Sequence, residues 1–217
     1  AVWILGFNDS VYDDYDEAFI FVSLGIFFDF WDGFFARKFN VSGELGLQLD
    51  SLADMVTSGV VPGLMLFKLF ENIQMDSASP YFLTDESWYM GFVPYLGFIV
   101  TLASAYRLAK FNIDTRQTDS FIGLPTPANA LLIMSIPMIE YAGSFDWLVT
   151  ALYNPYVLLG ITVLSAYLLN AEIPLFSLKV KDFSLAHNKI QIVFLAVSVV
   201  LLLLLSFTAL PVIILFY

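Results

Sequence analysis

Apolar residues run through this chain in long blocks separated by short polar stretches. The hydrocarbon core of a bilayer, about 30 Å thick, takes about 20 mostly apolar helical residues to cross, with shorter spans near 17. Six segments reach that range: residues 18–36, 46–70, 88–111, 126–142, 146–170 and 190–217. The apolar opening, residues 1–7, is too short to span and reads as the tail of a truncated helix. Between the blocks, residues 8–17 are strongly acidic and read as a solvated loop. Residues 71–87 carry Pro80, Asp85 and Glu86, residues 112–125 carry charges of both signs, and residues 171–189 hold Pro174, Lys179, Lys181 and Lys189. No internal repeat and no second soluble domain is visible. The pattern predicts an all-α fold, a polytopic transmembrane bundle of about six helices, forming a single membrane domain over residues 1–217.

Composition supports that assignment. Of the 217 residues, 59% are hydrophobic and 13% charged, against about 25% charged in a soluble domain, which argues against a soluble globular domain, a disordered chain and a coiled coil. Cysteine is absent, which excludes disulfides, thiolate metal sites and a cysteine nucleophile. The single histidine, His187, excludes multi-histidine zinc sites and reads as a solvated interface residue. Any metal must therefore be held by oxygen, which suits a hard divalent cation. A net charge of −11 disfavours nucleic acid as a partner, because phosphate backbones are held by clustered Lys and Arg. If residue 18 starts on the outer side, eight of the nine Lys and Arg (all but Lys68) collect at inner helix ends. Lys and Arg favour the cytoplasmic side, so those ends are expected to face the cytoplasm, in a bacterial inner membrane.

Four carboxylates contradict the apolar pattern. Asp29 and Asp32 lie near the inner end of the first block, Asp50 and Asp54 in the first turns of the second. A charge at a membrane-helix centre costs about 2.5–3.5 kcal/mol on insertion scales, so intramembrane acids usually have a function. The spacings, i,i+3 and i,i+4, put each pair on one helix face. The short link over residues 37–45 makes the two helices antiparallel neighbours, so all four acids can converge. Four uncompensated carboxylates repel one another, and divalent cations such as Mg²⁺, Mn²⁺ or Ca²⁺ remove the conflict. Two ions about 3.5–4 Å apart are a recurring arrangement in phosphoryl chemistry. Gly33, Ala36 and Gly46 each lie one turn from one of these acids and leave room for a ligand near the backbone, though small residues also serve close helix packing. Arg37 stands where it can meet a diphosphate or anchor the helix end.

Read together, Asp29-x2-Asp32-Gly33-x2-Ala36-Arg37-x8-Gly46-x3-Asp50-x3-Asp54 resembles the signature of the CDP-alcohol phosphatidyltransferases, at eight positions over 26 residues. The stretches from Asp50 to Pro62, Tyr106-Arg107-Leu-Ala-Lys110-Phe-Asn112 and Phe121-Ile-Gly123-Leu-Pro125-Thr-Pro127 are similar to the phosphatidylserine synthase branch. Lys110 stands where that branch more often carries Arg. The resemblance implies an integral-membrane transferase with a core of six helices, a homodimer, and two divalent cations, Mg²⁺ or Mn²⁺, at the cytoplasmic end of the first two helices. By motif position Asp29, Asp32, Asp50 and Asp54 bind the metals, Asp54 is also the general base, and Gly33, Ala36, Arg37 and Gly46 line the CDP site. It further implies CDP-diacylglycerol and L-serine as substrates, giving phosphatidylserine and CMP.

For the acceptor, the candidates are Ser58, Arg107, Lys110 and Asn112. Ser58 equally suits a backbone-bonded serine, Arg107 and Lys110 suit positive-inside anchors, and Asn112 suits a helix cap. Arg116 reads as an anchor. Two alternatives stand beside serine transfer. One is the same chemistry on another acceptor, glycerol 3-phosphate or an inositol phosphate, which calls for more basic residues than this chain offers. The other is a cation transporter, which calls for acids scattered through several helices near the midplane.

Overall fold

The computed structural model describes residues 13–39, 43–75, 91–113, 120–143, 145–176 and 189–217. Among these the chain is helical almost throughout: α1 (Asp13–Phe39), α2 (Glu44–Asp54), a π-helical turn (Met55–Val60), α3 (Val61–Met75), α4 (Phe98–Ile113), α5 (Thr126–Ala142), α6 (Asp146–Leu152), α7 (Pro155–Asn170), α8 (Lys189–Leu205) and α9 (Ala209–Phe216). Two three-residue strands, β1 (Ser120–Ile122) and β2 (Pro174–Phe176), pair antiparallel with Phe121 opposite Leu175. They clip together two connections that the sequence pattern marks only as polar loops.

Three helices are long and apolar enough to cross a membrane, 15–36, 44–73 and 191–216, and a fourth span arises if the α6–α7 pair is taken together. Six spans are therefore not reached by length and composition among the described residues; α4 and α5, with 16 and 17 residues, are helices but short ones. Two boundaries differ from expectation. Residues 13–17 belong to α1 rather than to an acidic loop, because Tyr15 and Ala18 are buried and Asn72 Nδ2 donates to the Tyr15 hydroxyl at 2.9 Å. The segment 146–170 is not one helix but bends by 72° between α6 and α7. Pro155 lacks the N–H that a continuing helix needs and restricts the residue before it. Asn154 instead caps α7, its side chain accepting from Tyr156 N at 2.9 Å.

The core sits where α3 and α5 meet α1, α4 and α7. Met65, Leu66, Leu69 and Phe70 of α3 pack with Val100, Ile133, Met134, Met138, Leu158 and Leu169, and with Ala18 and Val22 of α1. Glycine lets α3 and α4 come close: a Cβ on Gly63 would lie 2.0 Å from Thr101 Oγ1, and one on Gly97 would lie 2.7 Å from the Phe67 nitrogen. Helices α1 and α2–α3 run antiparallel, touching at Tyr15–Asn72 near one end and at Gly25, where a Cβ would meet Thr57 Cγ2 at 3.4 Å. Residues 1–12, the Arg116 region and His187 lie outside the described residues.

Candidate functional site

The antiparallel contact that joins Gly25 to Thr57 continues one turn along α1 to Asp29. The Asp29 carboxyl is within hydrogen-bonding reach of Asp50 and interacts electrostatically with Asp54 and Asp32, and Asp54 interacts with Asp50. Asp29 of α1 thus lies near Asp50 and Asp54 of α2, while Asp32 neighbours Asp29 on its own helix. Asp32 and Asp50 are exposed, while Asp29 and Asp54 are half-buried. Among the described residues the ion pairs are Lys68–Glu71 and Lys110–Glu172, and neither involves the four aspartates. An oxygen-only donor set of this charge fits a hard divalent ion. The acids do not form a ready coordination sphere, however: no group of three or more Asp, Glu or His side chains among the described residues stands in metal-holding geometry.

Around the acids, Gly46 has open space where a Cβ would stand, with nothing within 4 Å. Gly33 and Ala36 are half-buried on α1, and the Arg37 side chain lies outside the described residues. Asp29 and Asp32 are flanked by an exposed aromatic surface, including Phe28, Phe30, Trp31 and Phe35. Helix α2 buries none of its residues, and Leu45, Leu49 and Leu52 on it are exposed. Charged groups here border a wide apolar face.

The π turn follows directly from Asp54. Pro62 has no N–H to give the Ser58 carbonyl four residues back, and its ring would press on that carbonyl in a regular helix. The chain widens instead, with the Val61 N–H bonding the Val56 carbonyl. Such π insertions inside α-helices are frequent at functional sites. The turn buries Ser58 and Gly59, and Thr101 Oγ1 donates to the Gly59 carbonyl at 2.9 Å.

The acceptor candidates separate into two places. Asn112, at the end of α4, donates from Nδ2 to Ser51 Oγ at 2.9 Å, which ties α4 to α2 beside Asp50. Ser58 is fully buried, one turn beyond Asp54. Arg107 instead is turned toward α7 and β1: it is 8% exposed, and its Nη1 donates to the carbonyls of Ile122 at 2.7 Å and Leu169 at 2.9 Å. Lys110 is 3.7 Å from Glu172. These two basic residues line a cleft with Asn170 and Ala171. Gly123, at φ +76°, presses its backbone into the same corner. The sequence did not single out Ser51 or Glu172, which are ordinary polar residues until folding brings partners from 61 and 62 positions away.

The family model described as CDP-alcohol phosphatidyltransferase matches residues 2–155, which contain all four aspartates. The chain belongs to the CDP-alcohol phosphatidyltransferase family. Among its relatives in that family is a protein of Bacillus subtilis (strain 168) named CDP-diacylglycerol–serine O-phosphatidyltransferase, 30% identical over 174 residues, covering 78% of this chain and 80% of that one. A protein of the same name from Methanocaldococcus jannaschii is 36% identical over 119 residues, covering 54% of this chain and 49% of the relative. An archaetidylserine synthase from Methanothermobacter thermautotrophicus is 28% identical over 129 residues, covering 58% and 48%. This chain therefore spans about half the length of the last two. No solved structure matches it. A transferase acting on CDP-activated lipid, within a membrane-capable helical chain, is the coarse identity these observations give; the homodimer expected from the family gains no support from them.

Proposed function

We propose that this phosphatidyltransferase moves a phosphatidyl group from CDP-diacylglycerol to L-serine, with the reaction centred on Asp29, Asp32, Asp50 and Asp54. The observation that carries the reading is the approach of Asp29 to Asp50 and Asp54 across two antiparallel helices, beside an open backbone at Gly46. Serine as acceptor is supported by the names of the relatives and by the scarcity of basic side chains that a phosphorylated acceptor would need. The four carboxylates would hold Mg²⁺ or Mn²⁺, which when bound supplies charge neutralisation at the diphosphate.

The chain's own contributions follow from position. Asp54, half-buried and next to the π turn, accepts the proton of the serine hydroxyl as that oxygen attacks the phosphatidyl phosphorus. The new bond is serine oxygen to phosphorus; the bond that breaks joins that phosphorus to the oxygen leaving with CMP. Gly33, Ala36 and Gly46 leave room for the CDP group, and Arg37 meets its diphosphate. The exposed aromatic and leucine surface beside the acids lets the acyl chains stay in the bilayer while the head group reaches the carboxylates. The site faces the cytoplasm on the distribution of Lys and Arg.

The test is CMP release from CDP-diacylglycerol by the purified chain in detergent with Mn²⁺ or Mg²⁺. Release that requires L-serine and stops with a chelator is the expected result. Release with glycerol 3-phosphate or an inositol phosphate in place of serine overturns the acceptor assignment, and cation transport without transfer overturns the reaction.

A further inference from the structure

Among the described residues six side chains, Ser58, Ser104, Asn129, Ser165, Asn170 and Thr208, carry buried polar atoms with no hydrogen-bond partner, and three of them, Ser58, Ser104 and Asn129, come from the π turn and two helices packed on it. Ser58, Ser104 and Asn129 are each 0% exposed, and Ser58 Oγ, Ser104 Oγ and both amide atoms of Asn129 have no hydrogen-bond partner among the described residues. Burial alone does not cause this, since buried Thr162 and Ser135 bond the carbonyls of Leu158 and Leu132. An unpaired buried polar group costs about 1–3 kcal/mol, so an uncompensated set of four atoms points to a missing partner.

The three residues come from the π turn, α4 and α5, elements that pack on one another. Their depths agree. Ser104 Cβ lies 3.2 Å from where a Cβ of Gly59 would stand, next to Ser58. One turn further along α4, Arg107 bonds the Ile122 carbonyl just before α5. Helix α5 runs back antiparallel, and Asn129 lies in its first turn, so it returns to about the level of Ser104 at a rise of about 1.5 Å per residue. Asp54 is four residues before Ser58 on the same helix, about 6 Å along its axis.

We propose that Ser58, Ser104 and Asn129 form a recess that binds the polar end of the acceptor, a small hydroxylated amino acid, immediately inward of Asp54; this rests on the transferase reading above. The Asn129 amide offers a donor and an acceptor together, which matches the carboxylate and the ammonium of a zwitterion. The two serine hydroxyls donate to the carboxylate. None of the three carries a positive charge, so the recess disfavours a phosphorylated acceptor, whose dianion needs basic partners when desolvated. Entry of the ligand parts the π turn from α4 and α5, where the contact is made by glycine and serine.

The experiment uses the full chain in detergent with Asn129→Leu and, as a smaller change, Ser104→Ala. Three quantities are read: the KM values for L-serine and CDP-diacylglycerol in CMP release, the thermal midpoint without acceptor, and the midpoint shift produced by L-serine, ethanolamine or 3-hydroxypropionate. The expected result for Asn129→Leu is a serine KM raised about 10-fold or more, the change for losing a hydrogen bond to a charged group, with the CDP-diacylglycerol KM changed less than about 2-fold on the same scale. The midpoint without acceptor stays level or rises, because an unpaired amide has been replaced by an apolar group of similar shape, and the serine-induced shift disappears. Ethanolamine and 3-hydroxypropionate, each lacking one end of the zwitterion, shift wild type less than serine does. An unchanged serine KM in both variants overturns the recess, as does a lowered midpoint with unchanged KM, which would make the amide a structural group. If Asn129→Leu does not fold, Ser104→Ala alone decides by the same KM criterion. Failure of wild type to release CMP with serine overturns the transferase reading instead; the serine-induced midpoint shift still tests the recess, and its absence in wild type overturns it.

Discussion

Gly123 and Gly143 offer a matched pair for weighing how tightly the β1 corner is built. Both have positive φ, +76° and +60°, so a side chain at either is disfavoured by backbone geometry, by about 1–2 kcal/mol. They differ in surroundings. A Cβ on Gly143 meets nothing within 4 Å, whereas one on Gly123 would lie 2.8 Å from both the Leu169 and Ala171 carbonyl oxygens and 3.1 Å from Arg107 Nη1. Two of those contacts are backbone and cannot turn aside. Opening the corner adds about 1–3 kcal/mol of overpacking strain. It also loosens the Arg107 bonds to Ile122 and Leu169, and hydrogen bonds of a charged group contribute about 1.5–3 kcal/mol. Gly123→Ala is therefore expected to cost about 2–5 kcal/mol from backbone geometry and overpacking, and more as the Arg107 bonds are lost, against about 1–2 kcal/mol for Gly143→Ala. The assay is thermal unfolding of the two variants in the same detergent, followed by helical circular dichroism, with titration in denaturing detergent as a second measure. Equal destabilisation by the two substitutions would refute the argument, since it would mean that φ alone, and not the fit of the corner, sets the requirement for glycine.

Asp54→Asn is expected to lower CMP release at least about 100-fold, within the usual range for a positioned general base, while leaving the thermal midpoint near that of wild type; turnover within a few-fold of normal removes Asp54 from that role. Asp50→Asn should weaken the dependence of activity on added Mn²⁺ or Mg²⁺, read as a shift of the metal titration to higher concentration, and an unmoved titration contradicts its role as a ligand. Asn112→Ala breaks the link to Ser51 and should cost about 0.5–1.5 kcal/mol of stability, measured by unfolding; no loss would mean that α2 is held by other contacts.

The helical class and the nearness of Asp29 to Asp50 and Asp54 were legible because both rest on local periodicity: long apolar blocks, and aspartates spaced i,i+3 and i,i+4 on two helices with a short link. The bend at Asn154-Pro155 was also present in the residues, as a cap followed by a residue that cannot donate, yet apolar composition alone carries a span straight through it. What could not be read was tertiary. Nothing local to Ser104 or Asn129 distinguishes an unpaired polar residue from one bonded to its own helix, and nothing local to Ser51 announces Asn112. The spans show the same division: α5 runs over the residues its apolar block predicts, whereas α4 begins at Phe98 rather than at 88, after a 3-10 turn over Pro94–Gly97.

Arg107 shows the difference between a residue's motif position and the face on which folding puts it. Thr101, Ser104 and Asn112 of α4 touch Gly59 and Ser51, so that face of the helix looks toward α2 and the π turn. At about 100° per residue, Arg107 lies roughly a quarter-turn away, where it bonds two carbonyls beside β1 and α7. Removing the guanidinium leaves those carbonyls without their donor in a buried corner. Arg107→Ala is thus expected to lower the thermal midpoint strongly, by the equivalent of about 2–4 kcal/mol, and Arg107→Lys to recover only part of it, since both bonds come from the one nitrogen Nη1 and a strongly hydrated ammonium on a flexible stem costs more to bury and hold there. An acceptor clamp predicts the opposite pattern: an unmoved midpoint with a raised serine KM. Measuring both quantities on the same protein separates the two roles. A stable Arg107→Ala protein with impaired serine binding would move the acceptor from the recess beneath Asp54 to the cleft beside Lys110.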